Sequence, residues 1–240
     1  MNWILIFALT PAVERVQEFS VEVQGVGTIS GEQKVYSSSE KVVVWRRVSF
    51  DGDNPLFERY YSGNRVYVFS AKSDSVIIIN LGDSTYSVQP LGTNVVPREI
   101  LKSVDASVDS HIEARSDTCY SIRSYRQVDK RTDSTAMHVC FGKFESAGLE
   151  RQSLNWLADL LGIDRGKVEV FLALMGTPAA GFAGMDEKVL KLFEENGVPV
   201  YMEGKSFIAG EPVLQFDIRT VSMKKTDAVP IPDLSALRRK

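Results

Sequence analysis

Residues 62–88 read SGNRVYVFSAKSDSVIIINLGDSTYSV, three short runs rich in Val, Ile, Tyr and Phe that turn residues separate. Such side chains fit a pleated, half-buried surface, so the stretch predicts an antiparallel meander. Within 65–70, Tyr67 and Phe69 share one parity and the valines the other, whereas 76–81 is apolar on both faces. The second run is therefore predicted to be central and covered on both sides, which implies a curved sheet with other structure laid across its concave face.

Strand-like segments flank the meander on both sides. The apolar and polar alternation predicts further strands before it and, after it, a hairpin and the last strands of the chain. These segments are 19–23, 33–38, 41–50, 117–125, 134–141, 198–203 and 211–223. In 41–50, Val42, Val44 and Val48 share one parity and Trp45 lies on the other. The turn at 51–55 and then 56–61 lead into the meander, 85–91 closes it, and the prolines of 229–232 are predicted to terminate the sheet.

Helices are predicted mainly between the hairpin and the last strands. Ser153 is a candidate N-cap for 154–161, 164–175 is a weaker candidate, and 187–196 is the clearest, with Asp186 as cap. A short helix is also expected at 11–18 and another from Pro97. The resulting fold class is α+β, a curved antiparallel sheet wrapped around a few helices, with a helical insertion at about 144–196.

The loop at 176–185, GTPAAGFAGM, contains three glycines, but no Lys-Ser or Lys-Thr follows them, so a phosphate loop is not indicated. Two interpretations are open. Phe182 and Met185 could form a flap over a hydrophobic opening, or the segment could be an ordinary connection between helices.

Composition excludes several classes of protein. The 240 residues allow one large β-rich domain, predicted at 11–240. A net charge of −3, with no basic run longer than the terminal Arg238-Arg239-Lys240, argues against a nucleic-acid partner. Residues 1–10 include the apolar run WILIFAL, which is either a remnant of an export signal or anchor, or part of the fold.

The two cysteines lie near opposite positions of the predicted hairpin. Cys119 stands in CYSI and Cys140 in VCF. Their spacing fits neither a metal site nor a redox CxxC motif, which leaves a structural disulfide or two buried thiols. We favour the disulfide, which implies an oxidising compartment or a hyperthermophile cytoplasm.

Residues that could support catalysis show no catalytic pattern. GxSxG is absent, and the two histidines, His111 and His138, lack metal-ligand spacing. Carboxylate pairs such as Asp51 and Asp53 fall in turns or on wet faces, where solvation explains them. We therefore expect a protein that is not an enzyme and that uses no cofactor and no metal.

Three short features accompany this order of elements: the CYSI and VCF strands, the GxPxxxE segment at 197–203, and VPIP at 229–232. They carry a resemblance to the LolA/LolB-like outer-membrane lipoprotein-sorting superfamily, and the CYSI and VCF strands are also similar to members from archaea and other prokaryotes. The resemblance covers about 11–234 and implies a half-open β-barrel closed by helices that carries lipid or lipoprotein acyl chains in its apolar concavity. The chain departs from that family between about 144 and 195, where its helical segment is longer.

The expected function is non-enzymatic binding or carriage of a lipid, acyl chain or other hydrophobic ligand outside the cytoplasm, in the periplasm, at the cell surface or secreted. Membrane association through the N-terminus is part of this hypothesis. An alternative is a protein-interaction module of the cell envelope, whose core is filled by its own helices and whose partner is a membrane or envelope protein. Candidate ligand-lining residues are Trp45, Tyr67, Phe69 and Phe216, with Phe182 and Met185 as the flap.

Overall fold

The chain folds as an α+β protein built on one large curved antiparallel sheet, as a computed structural model shows. The structure describes residues 5–8, 11–91, 108–144, 147–163, 165–174 and 186–240. The strands are β1 (Leu5–Ala8), β2 (Ala12–Val23), β3 (Gly27–Ser38), β4 (Lys41–Gly52), β5 (Gly63–Ser70), β6 (Ser75–Asn80), β7 (Thr85–Pro90), β8 (Val108–Ala114), β9 (Cys119–Val128), β10 (Arg131–Gly142), β11 (Val198–Ile208), β12 (Glu211–Thr226), β13 (Val229–Pro232) and β14 (Arg238–Arg239). The helices are α1 (Pro55–Tyr61), α2 (Ala147–Leu161), α3 (Arg165–Leu174) and α4 (Glu187–Asn196).

The main sheet has the strand order β14-β7-β6-β5-β4-β3-β2-β12-β11-β10-β9-β8. Its ladders are antiparallel except where β14 pairs with β7. The two edge strands, β14 and β8, do not pair with each other, so the sheet is unclosed. The long strands β2, β3, β4 and β12 lie in its middle and the helices pack on one face, which we call the concave face. The predicted fold class is confirmed.

The meander predicted from 62–88 is present as β5, β6 and β7. Strand β6 is covered on both faces, since Val76 and Ile79, which point to opposite faces, are both fully buried. It lies near one edge of the sheet rather than at its centre. The twelve-residue strands β2, β3 and β4 and the sixteen-residue strand β12 take the central positions.

The short helix expected at 11–18 is wrong, because these residues belong to strand β2. That strand pairs along its whole length with β3 on one edge and with β12 on the other. Arg15 and Gln17 occupy buried positions in line with Phe19, and these polar residues conceal the alternation that would have identified the strand. Tertiary pairing overrides the local Thr-Pro signal for a helix start.

Residues 56–61, expected to lead into the meander, form helix α1 instead. The side-chain oxygen of Asn54 accepts hydrogen bonds from the backbone N–H groups of Leu56 and Phe57. Pro55 follows at the first helical position, where its missing N–H removes no intrahelical bond. The Asn-Pro pair was read as part of a turn, and it is also a helix start.

The predicted helices of the insertion are present. Helix α2 begins at Ala147 rather than at Leu154, so Ser153 lies inside it and is not its cap. Helix α4 has the predicted bounds, and the carboxylate of Asp186 both caps it and accepts from the backbone N–H of Ser110 on β8. Helices α3 and α4 cross at Gly166, where a Cβ atom would lie 2.5 Å from the carbonyl oxygen of Leu190. The helix expected from Pro97 lies outside the described residues.

Strand β8 was not predicted, and the hairpin beside it was. Strands β9 and β10 pair in register, and Cys119 stands directly opposite Cys140. The two sulfur atoms are bonded, with their Cα atoms 4.0 Å apart. The predicted cross-strand disulfide is confirmed.

The C-terminal segment, with Val229, Ile231 and Leu237, covers part of the outer face of the sheet. Strand β13 leaves the main sheet, as its prolines predicted, but it pairs antiparallel with β1 in a second, two-stranded sheet. Pro230 and Pro232 share one parity, so their missing N–H groups fall on a single edge of the strand and the other edge stays free to pair. No helix among the described residues is long and apolar enough to cross a membrane.

Candidate functional site

The concave face carries two apolar clusters. The α4 cluster packs Val189, Leu190 and Phe193 against one end of the sheet, around Phe19 and Phe216. The α2–α3 cluster packs Leu154, Leu157, Leu161 and Leu172 against β3 to β6 at the other end. Both clusters contain side chains without solvent exposure.

A row of polar side chains crosses the concave face between the two clusters. Its members are directly paired across β12, β2, β3, β4, β5 and β6, and we call them the polar row: Thr220, Gln17, Gln33, Arg46, Arg65 and Asn80. On β4, Val42 and Val44 of the α2–α3 cluster precede Arg46, and Val48 and Phe50 beside the α4 cluster follow it. The face is thus apolar at both ends and polar across its middle.

The two glutamines of the polar row are held by hydrogen bonds. Gln33 Nε2 donates to Gln17 Oε1 at 2.7 Å and to the backbone oxygen of Leu172, in the last turn of α3, at 2.6 Å. Gln17 Nε2 donates to Thr220 Oγ1 at 3.3 Å. Because both donor bonds are made by Nε2, the orientation of the Gln33 amide is fixed, and its Oε1 is buried without a hydrogen-bond partner.

Arg46 is a buried cation within the polar row. The residue is 5% exposed, and its guanidinium lies 4.6 Å from the centre of the ring of Phe19, whose cross-strand partner on β3 is Gly31. Within the described part of the chain, no hydrogen-bond partner contacts its Nε or Nη2 atom. Burial lowers the pKa of Arg46 to about 10, Tyr67 opposes that change, and the like charge of Arg65 adds to it. The group is still protonated at neutral pH.

Arg65 extends the positive charge along the row, although its own donors are engaged. Its Nη1 donates to the backbone oxygen of Tyr60 at 2.8 Å and its Nη2 to that of Arg59 at 3.3 Å. These carbonyls end helix α1, where a cation is favourable. Two guanidinium groups therefore stand directly opposite each other on β4 and β5.

A buried ion pair connects β2 to helix α2. Arg15 Nε lies 3.3 Å from Glu150 Oε1, and both side chains have no solvent exposure. Glu150 stands in the first turn of α2, where the helix dipole favours a negative charge. Trp156 Nε1 further donates to the backbone oxygen of Ser38 at 3.0 Å. Helix α2 is thus fixed to the sheet by directional contacts as well as by apolar packing.

The predicted ligand-lining residues fall on both faces. Tyr67 and Phe69 lie in the α2–α3 cluster and Phe216 in the α4 cluster, so the structure places them on the concave face but at opposite ends. Trp45 lies on the outer face, where its Nε1 donates to the backbone oxygen of Pro230 at 3.0 Å. Phe182 and Met185 lie outside the described residues.

One face of the disulfide hairpin is polar, whereas Ile122, Val139 and Phe141 of the same hairpin belong to the α4 cluster. His138 Nε2 lies 3.5 Å from Cys140 Sγ, but disulfide sulfurs do not offer the thiolate that binds metals. A cavity of about 440 Å³ in this region is lined mostly by polar side chains of β8 to β12, among them His111, Glu113, Arg123, His138 and Glu203. Such a lining does not suit an acyl chain.

The pattern of apolar residues does not predict the polar row, although the sequence contains a signal for it. Arg46 has the parity of Val42, Val44 and Val48, so it interrupts the apolar side of its strand with a charge. Gln33 interrupts the side of Val35 in the same way. Each residue alone resembles an ordinary surface position, and only the register of β2 to β5 brings them into one row.

Comparisons with known proteins find similarity among solved structures. No protein-family model matches the chain, and no curated protein does. Among solved structures, the chain is similar to the crystal structure of a LolA superfamily protein from Nitrosomonas europaea, with 7% sequence identity and a TM-score of 0.32, over 89% of this chain and 85% of that one. The function is therefore inferred from the side chains of this protein.

Proposed function

We propose that this protein is a non-enzymatic binding or carrier protein that holds a lipid, acyl chain or other hydrophobic ligand on the concave face of its sheet, without a cofactor or metal. The observation that supports it is the covering of that face. Both apolar clusters are closed by helices and not by a second sheet, and the sheet itself is unclosed. Helices can separate from a sheet without breaking any strand ladder.

An acyl chain would offset part of the cost of moving helices away from the sheet, a cost that includes breaking the buried ion pair of Arg15 and Glu150. Moving α2 and α3 away would expose aliphatic side chains of β3 to β6, and a bound chain would cover them again. Each methylene removed from water contributes about 0.8 kcal/mol, so a chain of about ten methylenes offsets the loss of several helix side chains. Tyr67, Phe69 and Phe216 are the proposed lining residues, with Phe182 and Met185 as a proposed flap.

The proposed location is extracytoplasmic. The disulfide between Cys119 and Cys140 supports it, because disulfides form and persist in oxidising compartments. That residues 1–10 act as an export signal or a membrane anchor stays a prediction.

A second candidate function is a protein-interaction module of the cell envelope. It is favoured by the complete burial of Leu154, Leu157 and Leu172, since a concave face filled by its own helices leaves the ligand no room. Helix α1 adds a contact surface for a protein partner, because Leu56 and Tyr60, one turn apart, are 62% and 66% exposed.

Native mass spectrometry distinguishes the two functions. The full-length protein is purified from its own source, weighed under native conditions and extracted with organic solvent to identify any released lipid. The carrier function predicts a stoichiometric acyl-chain ligand. A mass equal to that of the bare chain, with no rise in melting temperature on adding fatty acids or phospholipids, would exclude the carrier and favour the interaction module.

A further inference from the structure

We propose that Arg46 and Gln33 form a binding site for the anionic head group of the ligand, which is an amphiphile with carboxylate or phosphate oxygens. This inference rests on the proposed carrier function and specifies the chemistry of its ligand. The site lies in the middle of the polar row, between the two apolar clusters.

The guanidinium of Arg46 has buried donor atoms without hydrogen-bond partners. Buried polar groups in folded proteins almost always have hydrogen-bond partners, and a buried cation without them is a rare arrangement. The two atoms of Arg46 that lack partners, Nε and Nη2, lie on one edge of the guanidinium. That edge presents two parallel N–H bonds, the geometry that binds two oxygens of a carboxylate or phosphate at once.

The charge around Arg46 is positive. Arg65 stands directly opposite Arg46 and contributes a like charge, while its own donors hold the end of α1. The polar row contains no carboxylate. Glu150, the buried carboxylate of α2, is paired with Arg15. An anion at Arg46 would therefore receive a bidentate hydrogen bond and offset two neighbouring cations.

Gln33 offers a hydrogen-bond acceptor beside the guanidinium of Arg46. Gln33 is the direct cross-strand neighbour of Arg46, and its Oε1 is buried without a partner while its Nε2 makes two bonds. A protonated oxygen of a phosphate, or a hydroxyl next to a carboxylate, would donate to this atom. The pair thus offers donors and an acceptor to one head group.

The acyl chain attached to the head group would lie on the apolar surface beside the polar row. Val44 and Tyr67 lie next to the row on the side of the α2–α3 cluster, and Phe19 and Val48 lie next to it on the other side. A head group at Arg46 therefore has apolar surface two residues away in either direction along the strands. This arrangement suits an amphiphile better than a free anion or a neutral hydrocarbon.

The test compares Arg46→Met with Arg47→Met in the full-length protein, using isothermal titration calorimetry. Arg47 is the matched control, because it is the next residue of the same strand and is exposed on the outer face. The probes are oleate, lysophosphatidic acid with the same acyl chain, uncharged oleyl alcohol, and inorganic phosphate. Arg46→Lys is a further variant that keeps the charge and loses the two-pronged geometry.

We expect the wild-type protein and Arg47→Met to bind both anionic amphiphiles about tenfold or more tightly than oleyl alcohol. Arg46→Met is expected to lose that preference and to retain its affinity for oleyl alcohol. Arg46→Lys is expected to lie between the two, and it decides the matter if Arg46→Met does not fold.

Each contrary result has a distinct meaning. Unchanged preference for oleate and lysophosphatidic acid in the Arg46 variants would overturn the head-group site and leave the carrier function standing. Absence of binding by every amphiphile and by phosphate would overturn both. Binding of inorganic phosphate alone, lost in Arg46→Met, would confirm the anion site, assign it to a free anion and reject the carrier.

Discussion

Replacing Arg46 with methionine is expected to make the ligand-free protein more stable. Burial lowers the pKa of this guanidinium from 12.5 to about 10, which corresponds to roughly 3 kcal/mol against the charged form. The contact with the Phe19 ring offsets about 1–2 kcal/mol of that. Because the folded pKa lies below the unfolded one, the penalty is present in full at neutral pH and is relieved only as the pH rises through about 10.

The net expectation is a gain of about 1–2 kcal/mol in the free energy of unfolding, since methionine fills a similar space without a charge. For a chain of this size, that raises the melting temperature by about 2–8 °C. Urea denaturation and calorimetry at pH 7 measure both quantities, with delipidated protein.

The control is Arg47→Met, whose exposed side chain should change the free energy of unfolding by less than about 0.5 kcal/mol. A loss of stability of about 1 kcal/mol or more in Arg46→Met would contradict the expectation that the buried guanidinium destabilises the ligand-free protein. It would mean that the guanidinium is satisfied in the ligand-free protein, and the head-group site would lose its physical basis.

Three further predictions concern charge and covalent links. Glu150→Gln removes the negative charge of the buried pair with Arg15 and should lower the free energy of unfolding by about 3–5 kcal/mol in urea titrations. Reducing the bond between Cys119 and Cys140, 21 residues apart, should cost about 3 kcal/mol, measured by calorimetry with and without dithiothreitol. Hydrogen bonds from Lys240, and to a lesser extent from Thr85, lower the pKa of Asp83 below 3.8. The stability that these bonds contribute is therefore present above pH 3.8 and is lost as the pH falls through the pKa of Asp83 in the folded protein. Lys240→Ala should raise the pKa of Asp83 in an NMR titration.

Matched controls make these outcomes decisive. Glu40→Gln removes an exposed ion pair with Lys72 and should change stability by less than about 1 kcal/mol. If Glu150→Gln changes stability as little as Glu40→Gln does, the buried ion pair is not what fixes α2. For the disulfide, the double variant Cys119→Ser and Cys140→Ser should be insensitive to dithiothreitol. For Asp83, an unchanged titration in Lys240→Ala would show that Lys240 does not lower its pKa.

The amino-acid sequence alone predicts the elements whose residue types and turn or cap residues indicate the same secondary structure. The meander at 62–88, the hairpin that brings Cys119 opposite Cys140, and helix α4 follow from β-branched content, turn residues and a capped apolar stripe. It also predicts the α+β class, because the apolar faces of the strands need a covering layer and the segment between the hairpin and the last strands has helical patterns. These features depend on interactions between residues close in the chain.

The strand at Ala12–Val23 and the polar row become evident only from the three-dimensional pairing of strands. Both depend on register between strands far apart in sequence, such as the pairing of Gln17 with Thr220. A one-residue change of register would send Arg46 to the outer face and Trp45 to the concave one. The position of a buried charge is therefore set by hydrogen bonds across the whole sheet, which no local pattern of apolar residues contains.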